Sequence, residues 1–403
     1  MGLTDFSSHK ALLIEDMAEA RIMQKKMLTD FGFQSIDIAM KAETAIDLLK
    51  TQSFDLILSD YNLGNGKDGQ QLLEEVRHSK LIPNTATYLM VTAETSIEMV
   101  MGAIEFQPDG YITKPFSQAL LQRRLGKLLE MKAKLKQVNI ALDKKDFPKA
   151  IEEAYKVIEA HPSLEGKCHR VIGECYLEMK EYRQAKEIFA SVLKNRKMPW
   201  AVFGEARACF YLNQLEQSES KFRQLMLDNR FFVSAYDWLA KIKIAQKDNA
   251  AAQAILIDAI ERSPKNLLRQ MELGKLSLII KDYNTAELAF RRAVSLAKHS
   301  CYNTAEIYLN HLSTFAKLSE EAPLSSRQKE TFQSTLKKIH QLFFDDPAVR
   351  AQTYSYETDI YLNSKDPNNA KNTLQLWIRD VETGIALAPT NQQNTHYKLV
   401  LEG

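Results

Sequence analysis

The chain is 403 residues long, 45% apolar and nearly charge-balanced, with 53 lysines and arginines against 51 acidic residues. This length accommodates two or three domains, the apolar content excludes a disordered chain, and a net charge of +2 gives no global attraction to nucleic acid or a membrane surface. No run of 18 apolar residues occurs, so no membrane-spanning helix is expected.

At the amino terminus, MGLTDFSSHK lacks the apolar core of a signal peptide, and Phe6 breaks the myristoylation pattern. Cys168, Cys175, Cys209 and Cys301 form no CxxC and no paired ligand spacing, which reads as reduced thiols within helices. A cytoplasmic protein is the expectation.

Residues 10–130 alternate strand and helix signals. Strands are predicted near 10–15, 35–39, 54–59, 86–91 and 109–113, and helices near 17–31, 41–51, 68–79, 95–105 and 117–130. Five βα units with short connections imply a doubly wound parallel sheet. Four strand-like runs end in polar groups. ALLIED (11–16) ends in Glu15 and Asp16, and FDLILSDYNLGNGKDG (54–69) stops its apolar run at Asp60 before a loop with Gly64, Gly66 and Gly69. YLMVTAE (88–94) carries Thr92, and YITKPF (111–116) carries Lys114. Open parallel sheets place their sites at the carboxyl ends of strands, so these groups are expected to converge at one sheet edge. Clustered carboxylates hold a hard divalent cation such as Mg²⁺. The cation, Lys114 and the Thr92 hydroxyl can stabilise charge on a phosphoryl group while Asp60 attacks as nucleophile.

On these motifs residues 8–127 resemble a response-regulator receiver domain, with every signature position filled. The resemblance implies that Asp60 is the phosphoacceptor and that Glu15, Asp16 and Asp60 are side-chain Mg²⁺ ligands, joined by the backbone carbonyl of Asn62. It implies Thr92 and Tyr111 as the switch pair, Lys114 as the phosphoryl-contacting lysine, and a sensor histidine kinase or phosphotransfer protein as donor. Asn62 and Glu94, each two residues beyond a signature residue, match chemotaxis-type receivers, whose aspartyl phosphate is short-lived. No enzyme activity is expected beyond the receiver's own phosphotransfer and dephosphorylation, and a homodimer through the receiver is a further possible contact.

From 117 to 145 no proline occurs, and Leu121, Leu125, Leu128, Leu135, Val138 and Leu142 keep helical spacing. The last receiver helix is therefore expected to run into the second domain, with at most a slight bend at Gly126. This junction is basic, with Arg123, Arg124, Lys127, Lys132, Lys134 and Lys136 against Glu130, and reads as a solvated face.

Beyond 130 the pattern is helical and repeats. Val138, Gly173, Ala206, Ala240 and Gly274 recur at steps of 35, 33, 34 and 34 residues. Large residues recur with them at Phe189, Phe222, Leu256 and Phe290. This period and pattern resemble the tetratricopeptide (TPR) repeat. Five repeats start near 131, 166, 199, 233 and 267, so the expected fold is an α/β receiver (1–127) followed by an all-α solenoid (128–300). Residues 301–403 read as helices near 301–319, 327–343, 348–363 and 367–387, two divergent hairpins with a capping tail.

No catalytic constellation appears after residue 130, and helix-turn-helix and cyclic-nucleotide signatures are absent. By the TPR resemblance the first helix of each repeat lines a groove for a protein partner, including Arg170, Glu174, Trp200, Phe203, Arg207, Tyr211, Asp237 and Lys241. Trp200, Arg207, Tyr211 and Lys241 are the candidate partner contacts. The lysine–asparagine clamp for C-terminal carboxylates is not reproduced. The expected function is phosphorylation-controlled protein–protein interaction in a two-component phosphorelay. Alternatives are a regulator that binds nucleic acid through the basic junction, and a phosphate sink for a shared kinase.

Overall fold

The computed structural model describes residues 6–93, 106, 108–391, 393 and 397. The apolar runs form five strands, β1 (Lys10–Ile14), β2 (Ser35–Ala39), β3 (Leu56–Asp60), β4 (Thr87–Thr92) and β5 (Gly110–Thr113). They make one parallel sheet in the order β2-β1-β3-β4-β5. Both faces are covered, so β3 and β4 are buried at every residue and read as continuous apolar runs rather than alternating ones. Leu12, Ile14, Ile57 and Met90 face a core shared with the helices Ala42–Thr51 and Gly69–His78. Their neighbours Ala11, Leu13, Leu56 and Val91 face the other, with Leu28 of Ala18–Asp30 and Leu121 and Leu125 of Gln118–Lys134. The helix expected at 95–105, and Glu94, lie outside the described residues.

The junction departs from expectation in one respect. Gln118–Lys134 runs through Gly126, and the break falls at Leu135 (φ −91°, ψ 10°), after which Lys136–Asp143 begins. Leu135 is buried with Val138, Ala154, Cys168 and Ile172 in the first repeat's core. Packing at Leu135, rather than the helix propensity of Gly126, sets where the chain turns.

The hairpins follow as Lys136–Asp143 with Phe147–Ala160, Glu165–Glu178 with Tyr182–Asn195, Pro199–Tyr211 with Leu215–Asp228, and Leu267–Ile279 with Tyr283–Ala297; the helices Val233–Ala245 and Asn249–Arg262 lie in the chain between the last two. Small residues at the repeating positions have a clear cause. A Cβ on Gly173 or Gly204 would sit 2.4 Å from the Phe189 ring, and one on Gly274 would sit 2.6 Å from Phe290. One ring fills the space that two glycines leave.

The turn that ends the leading helix of each repeat uses a residue that sequence reading overlooked. Lys145, Lys180, Asn213, Lys247 and Lys281 all have φ between 56° and 63°, at the same steps of 35, 33, 34 and 34. Left-handed backbone costs an L side chain about 1 kcal/mol. Here it closes a helix cap: Lys180 N–H donates to Leu177 O (3.1 Å) and Glu181 N–H to Tyr176 O (2.8 Å), with equivalent bonds at the other turns. Asp146 and Asp282, one residue beyond their turns, then cap the following helices.

Residues up to Asp248, with Glu261–Pro264 and His299–Cys301, pack as one compact unit; Asn249–Ile260, Lys265–Lys298 and the chain from Tyr302 form a second. The second contains Ala305–Glu321, Ser326–Phe343, Pro347–Asn363 and Pro367–Glu382. Lys365 (φ 57°) makes the same turn in the last hairpin. The final helix, expected to reach 387, ends at Glu382 because Gly384 (φ 75°) turns the chain back, with Ile385 N–H donating to Asp380 O at 2.8 Å. Among the described residues no helix is long and apolar enough to cross a membrane.

Candidate functional site

Each reactive side chain sits where a strand ends. β1 stops at Ile14, and Glu15 N–H still donates to Ala39 O at 3.1 Å, placing Glu15 and Asp16 at the sheet's carboxyl edge. Asp60 ends β3, Thr92 ends β4 opposite Thr113, and Lys114 follows β5 with its N–H on Thr92 O. The Lys114–Pro115 peptide is cis. Gly69 lets the loop fold back under Asp60, since a Cβ there would lie 2.2 Å from the Asp60 carbonyl oxygen. Gly64 (φ 68°) lies so close to Asp16 that a Cβ would stand 3.0 Å from Oδ2.

Carboxylate oxygens of Glu15, Asp16 and Asp60 lie within 4.8 Å of one another. Lys114 Nζ donates to Glu15 Oε2 (2.8 Å) and Asp60 Oδ2 (2.9 Å). Glu15 is fully buried, Asp60 nearly so, and Asp16 is exposed. Burial raises the Glu15 pKa; the Lys114 hydrogen bond opposes this, and the neighbouring charge of Asp60 adds to it. Burial pulls the Lys114 pKa down, but its bonds to Glu15 and Asp60 outweigh this and raise it. Asp60 Oδ1 is buried and has no hydrogen-bond partner among the described residues. Oxygen-only donors around an unpaired carboxylate oxygen fit a small hard divalent cation of the Mg²⁺ kind.

The other expected positions follow. Asn62 is exposed on the loop after β3. Tyr111 pairs with Met90 in the sheet and packs, half-buried, with Phe106 and Leu81 against the core. Two residues of the first helix were not legible from motif spacing. Arg21 donates to the carbonyl oxygens of Glu15 (3.1 Å) and Asp16 (3.0 Å), and buried Gln24 donates to Glu15 Oε2 (2.8 Å).

The receiver is bonded directly to the first repeat. Asn84, in the turn before β4, is held by the Asp143 carboxylate, and Lys132 Nζ donates to Asn84 O (2.7 Å) and pairs with Asp109 (2.8 Å). Asp109 Oδ2 also accepts from Tyr88 N–H at 2.9 Å. Lys132 is thus not part of a solvated basic face: its ammonium is committed within the fold.

Asn84 also lines a cavity of about 530 Å³ in the repeats, together with Arg170, Glu174, Trp200, Phe203 and Arg207. Arg207 pairs with Glu174 at 2.8 Å and lies over the rings of Phe203 and Trp238 at 5.7 and 5.6 Å. Trp200 meets Phe189 edge-on. Tyr211 and Lys241 do not line this cavity. Tyr211 stacks on Tyr182 at 4.6 Å and meets Trp238 edge-on, and Lys241 lies over Trp238 at 4.8 Å. Trp238, which sequence reading passed over, joins them to Arg207.

Comparison with known proteins matches the receiver and one of the repeats. A family model for the response regulator receiver domain matches residues 11–126, and one for the tetratricopeptide repeat matches 233–266. The chain is 34% identical over 121 residues to chemotaxis protein CheY-3 of Vibrio cholerae, covering 30% of this chain and 92% of that protein. It is 31% identical over 121 residues to chemotaxis protein CheY of Pseudomonas aeruginosa, covering 30% of this chain and 96% of that protein. A tetratricopeptide repeat protein from Parabacteroides merdae aligns with 67% of this chain and 97% of its own, at 14% identity and a TM-score of 0.38.

Proposed function

Because this chain belongs to the response-regulator family, through a receiver domain joined to tetratricopeptide repeats, we propose that Asp60 accepts a phosphoryl group from a histidine kinase or phosphotransfer protein and that the repeats pass the result to a protein partner. One observation carries the reading: the carboxylates of Glu15, Asp16 and Asp60 and the ammonium of Lys114 meet at one sheet edge.

In the transfer, an Asp60 carboxylate oxygen attacks the phosphorus of a phosphohistidine. The new P–O bond forms as the P–N bond breaks, and the imidazole nitrogen keeps the electron pair. Lys114, 2.9 Å from Asp60, supplies positive charge toward the phosphoryl oxygens, and the Thr92 hydroxyl supplies a hydrogen bond. Glu15, Asp16, Asp60 and the Asn62 carbonyl would hold Mg²⁺, which when bound would supply positive charge to offset that on the phosphoryl oxygens. The chain's own chemistry is this phosphotransfer and the later hydrolysis of the Asp60 acyl phosphate, in which water takes the phosphoryl group as inorganic phosphate and the carboxylate is restored.

Output is assigned to the repeats. Their cavity presents rings and paired charges suited to a segment of another protein, and its wall includes Asn84 of the receiver. The nucleic-acid alternative is weakened by Lys132, whose charge is already paired with Asp109.

The test is direct. With Mg²⁺ and a small phosphodonor, the chain should acquire one base-labile acyl phosphate at Asp60, read by mass spectrometry. Asp60→Ala should abolish it, and Asp16→Ala should sharply weaken its metal dependence. Phosphorylation at wild-type level in Asp60→Ala overturns the reading.

A further inference from the structure

Gln24 is an anomaly in the receiver core. It and Leu28 are the two buried residues of the Ala18–Asp30 helix, and at 1% exposure an apolar residue would be the ordinary occupant. Its amide nitrogen donates to Glu15 Oε2 at 2.8 Å, yet its own Oε1 is buried with no hydrogen-bond partner among the described residues. Burying an unpaired amide oxygen costs free energy that an apolar side chain would not incur. The donated bond is what the position retains in return.

We propose that Gln24 is a positioning residue for the cation site, holding the Glu15 carboxylate in the orientation that Mg²⁺ binding requires. This rests on the reading of Glu15, Asp16 and Asp60 as the Mg²⁺ cluster. Glu15 Oε2 accepts from both Gln24 and Lys114, at 2.8 Å each, whereas among the described residues Oε1 has only a long bond of 3.4 Å from Met17 N–H. The two donors clamp one oxygen and leave the other to serve the cation or its bound water. They differ in permanence. Lys114 also bonds Asp60, and the phosphoryl group draws on its charge, so its hold on Glu15 is shared. Gln24 is neutral, buried and engaged with Glu15, so it keeps the carboxylate placed without competing with the cation for negative charge. Partners that orient a metal ligand in this way carry a measurable share of metal affinity.

The experiment is Mg²⁺ titration of the full chain by calorimetry, alongside thermal unfolding in the absence of Mg²⁺, for wild type, Gln24→Met and Asp16→Ala. Gln24→Met keeps the volume and removes the donor. It should bind Mg²⁺ about tenfold more weakly, while its metal-free Tm stays level or rises because the unpaired oxygen is gone. A role in packing alone gives the opposite split, a lower Tm with unchanged affinity, and overturns the inference. If Gln24→Met does not fold, Gln24→Leu is measured by the same criteria. Wild-type affinity in the Gln24 variant with loss in Asp16→Ala overturns the positioning role alone. Absence of Mg²⁺ binding by wild type overturns the cation reading and this inference with it.

Discussion

Asn84 and Asp143 are joined by three hydrogen bonds across the boundary between receiver and repeats. The Asn84 backbone N–H reaches both carboxylate oxygens of Asp143, at 3.0 and 3.1 Å, and its side-chain amide reaches Oδ1 at 2.8 Å. Asp143 is the last residue of the first repeat's leading helix, and Asn84 lies three residues before β4. A change in the β4–β5 region therefore has a bonded route to the repeats besides the covalent one.

Removing that route should be mild in stability and specific in effect. The contact is exposed, so Asp143→Ala should cost about 1 kcal/mol. Amide hydrogen exchange should quicken at Asn84, while phosphorylation of Asp60 proceeds as in wild type. Unchanged exchange in the variant would show that the bonds contribute nothing to holding the turn.

Thr92 ends β4 at the sheet edge that carries Asp60, and Tyr111 lies on the adjacent strand. On the proposed switch, a phosphoryl group attracting the Thr92 hydroxyl would shift an existing equilibrium of this region, and Tyr111 would follow into the space released. Thr92→Ala should therefore accept phosphate yet lose the phosphate-dependent change in partner affinity, measured by pulldown of wild type and variant with and without a phosphoryl analogue. Full coupling in Thr92→Ala excludes this switch.

The break at Leu135 leaves the Gln118–Lys134 helix and the first repeat in close succession. Gly-Ser residues inserted after Ala133 would leave Lys132 on its receiver partners while displacing Asp143 from Asn84. Both domains should stay folded and Asp60 should still be phosphorylated, but partner binding should no longer respond. Phosphate-dependent binding that survives the insertion points instead to direct contact of the receiver with the partner.

In the second unit, burial raises the Glu357 carboxyl pKa from 4.5 to about 7, against the lowering effect of a hydrogen bond with Tyr361. The folded state thus holds a proton that the unfolded chain releases near 4.5. Between these values the folded state binds more protons, so stability falls as pH rises and levels off above about 7. Glu357→Gln should remove this slope and, at pH 8, exceed wild type by about 1–2 kcal/mol, allowing for the partial exposure of the side chain. Thermal melts of the two proteins from pH 4 to 8 measure it.

Much of this organisation is legible in the residues alone, for reasons that differ by region. β1, β3 and β4 announce themselves as apolar runs ending in polar groups because both sheet faces are covered, and the same edge gathers Glu15, Asp16, Asp60, Thr92 and Lys114. The repeats are legible because Phe189 and Phe290 demand glycines at fixed distance. Gln24 and Asn84 stayed hidden because each acts on a partner distant in sequence or lacking a motif of its own. Trp238 was missed because a ring at helical spacing looks like ordinary packing. The break at Leu135 was misplaced because helix propensity names Gly126, whereas burial decides.

The bonds of Asn84 and Lys132 bear on how such a protein can be assembled from parts. A receiver transplanted from another chain brings its own strand-edge carboxylates and lysine, and with them phosphotransfer. Unless it carries an equivalent residue, it would not supply the Asn84 that meets Asp143 and forms part of the wall of the repeat cavity. Chimaeras joined at the junction helix would therefore inherit the chemistry of one parent and the groove of the other without the connection between them.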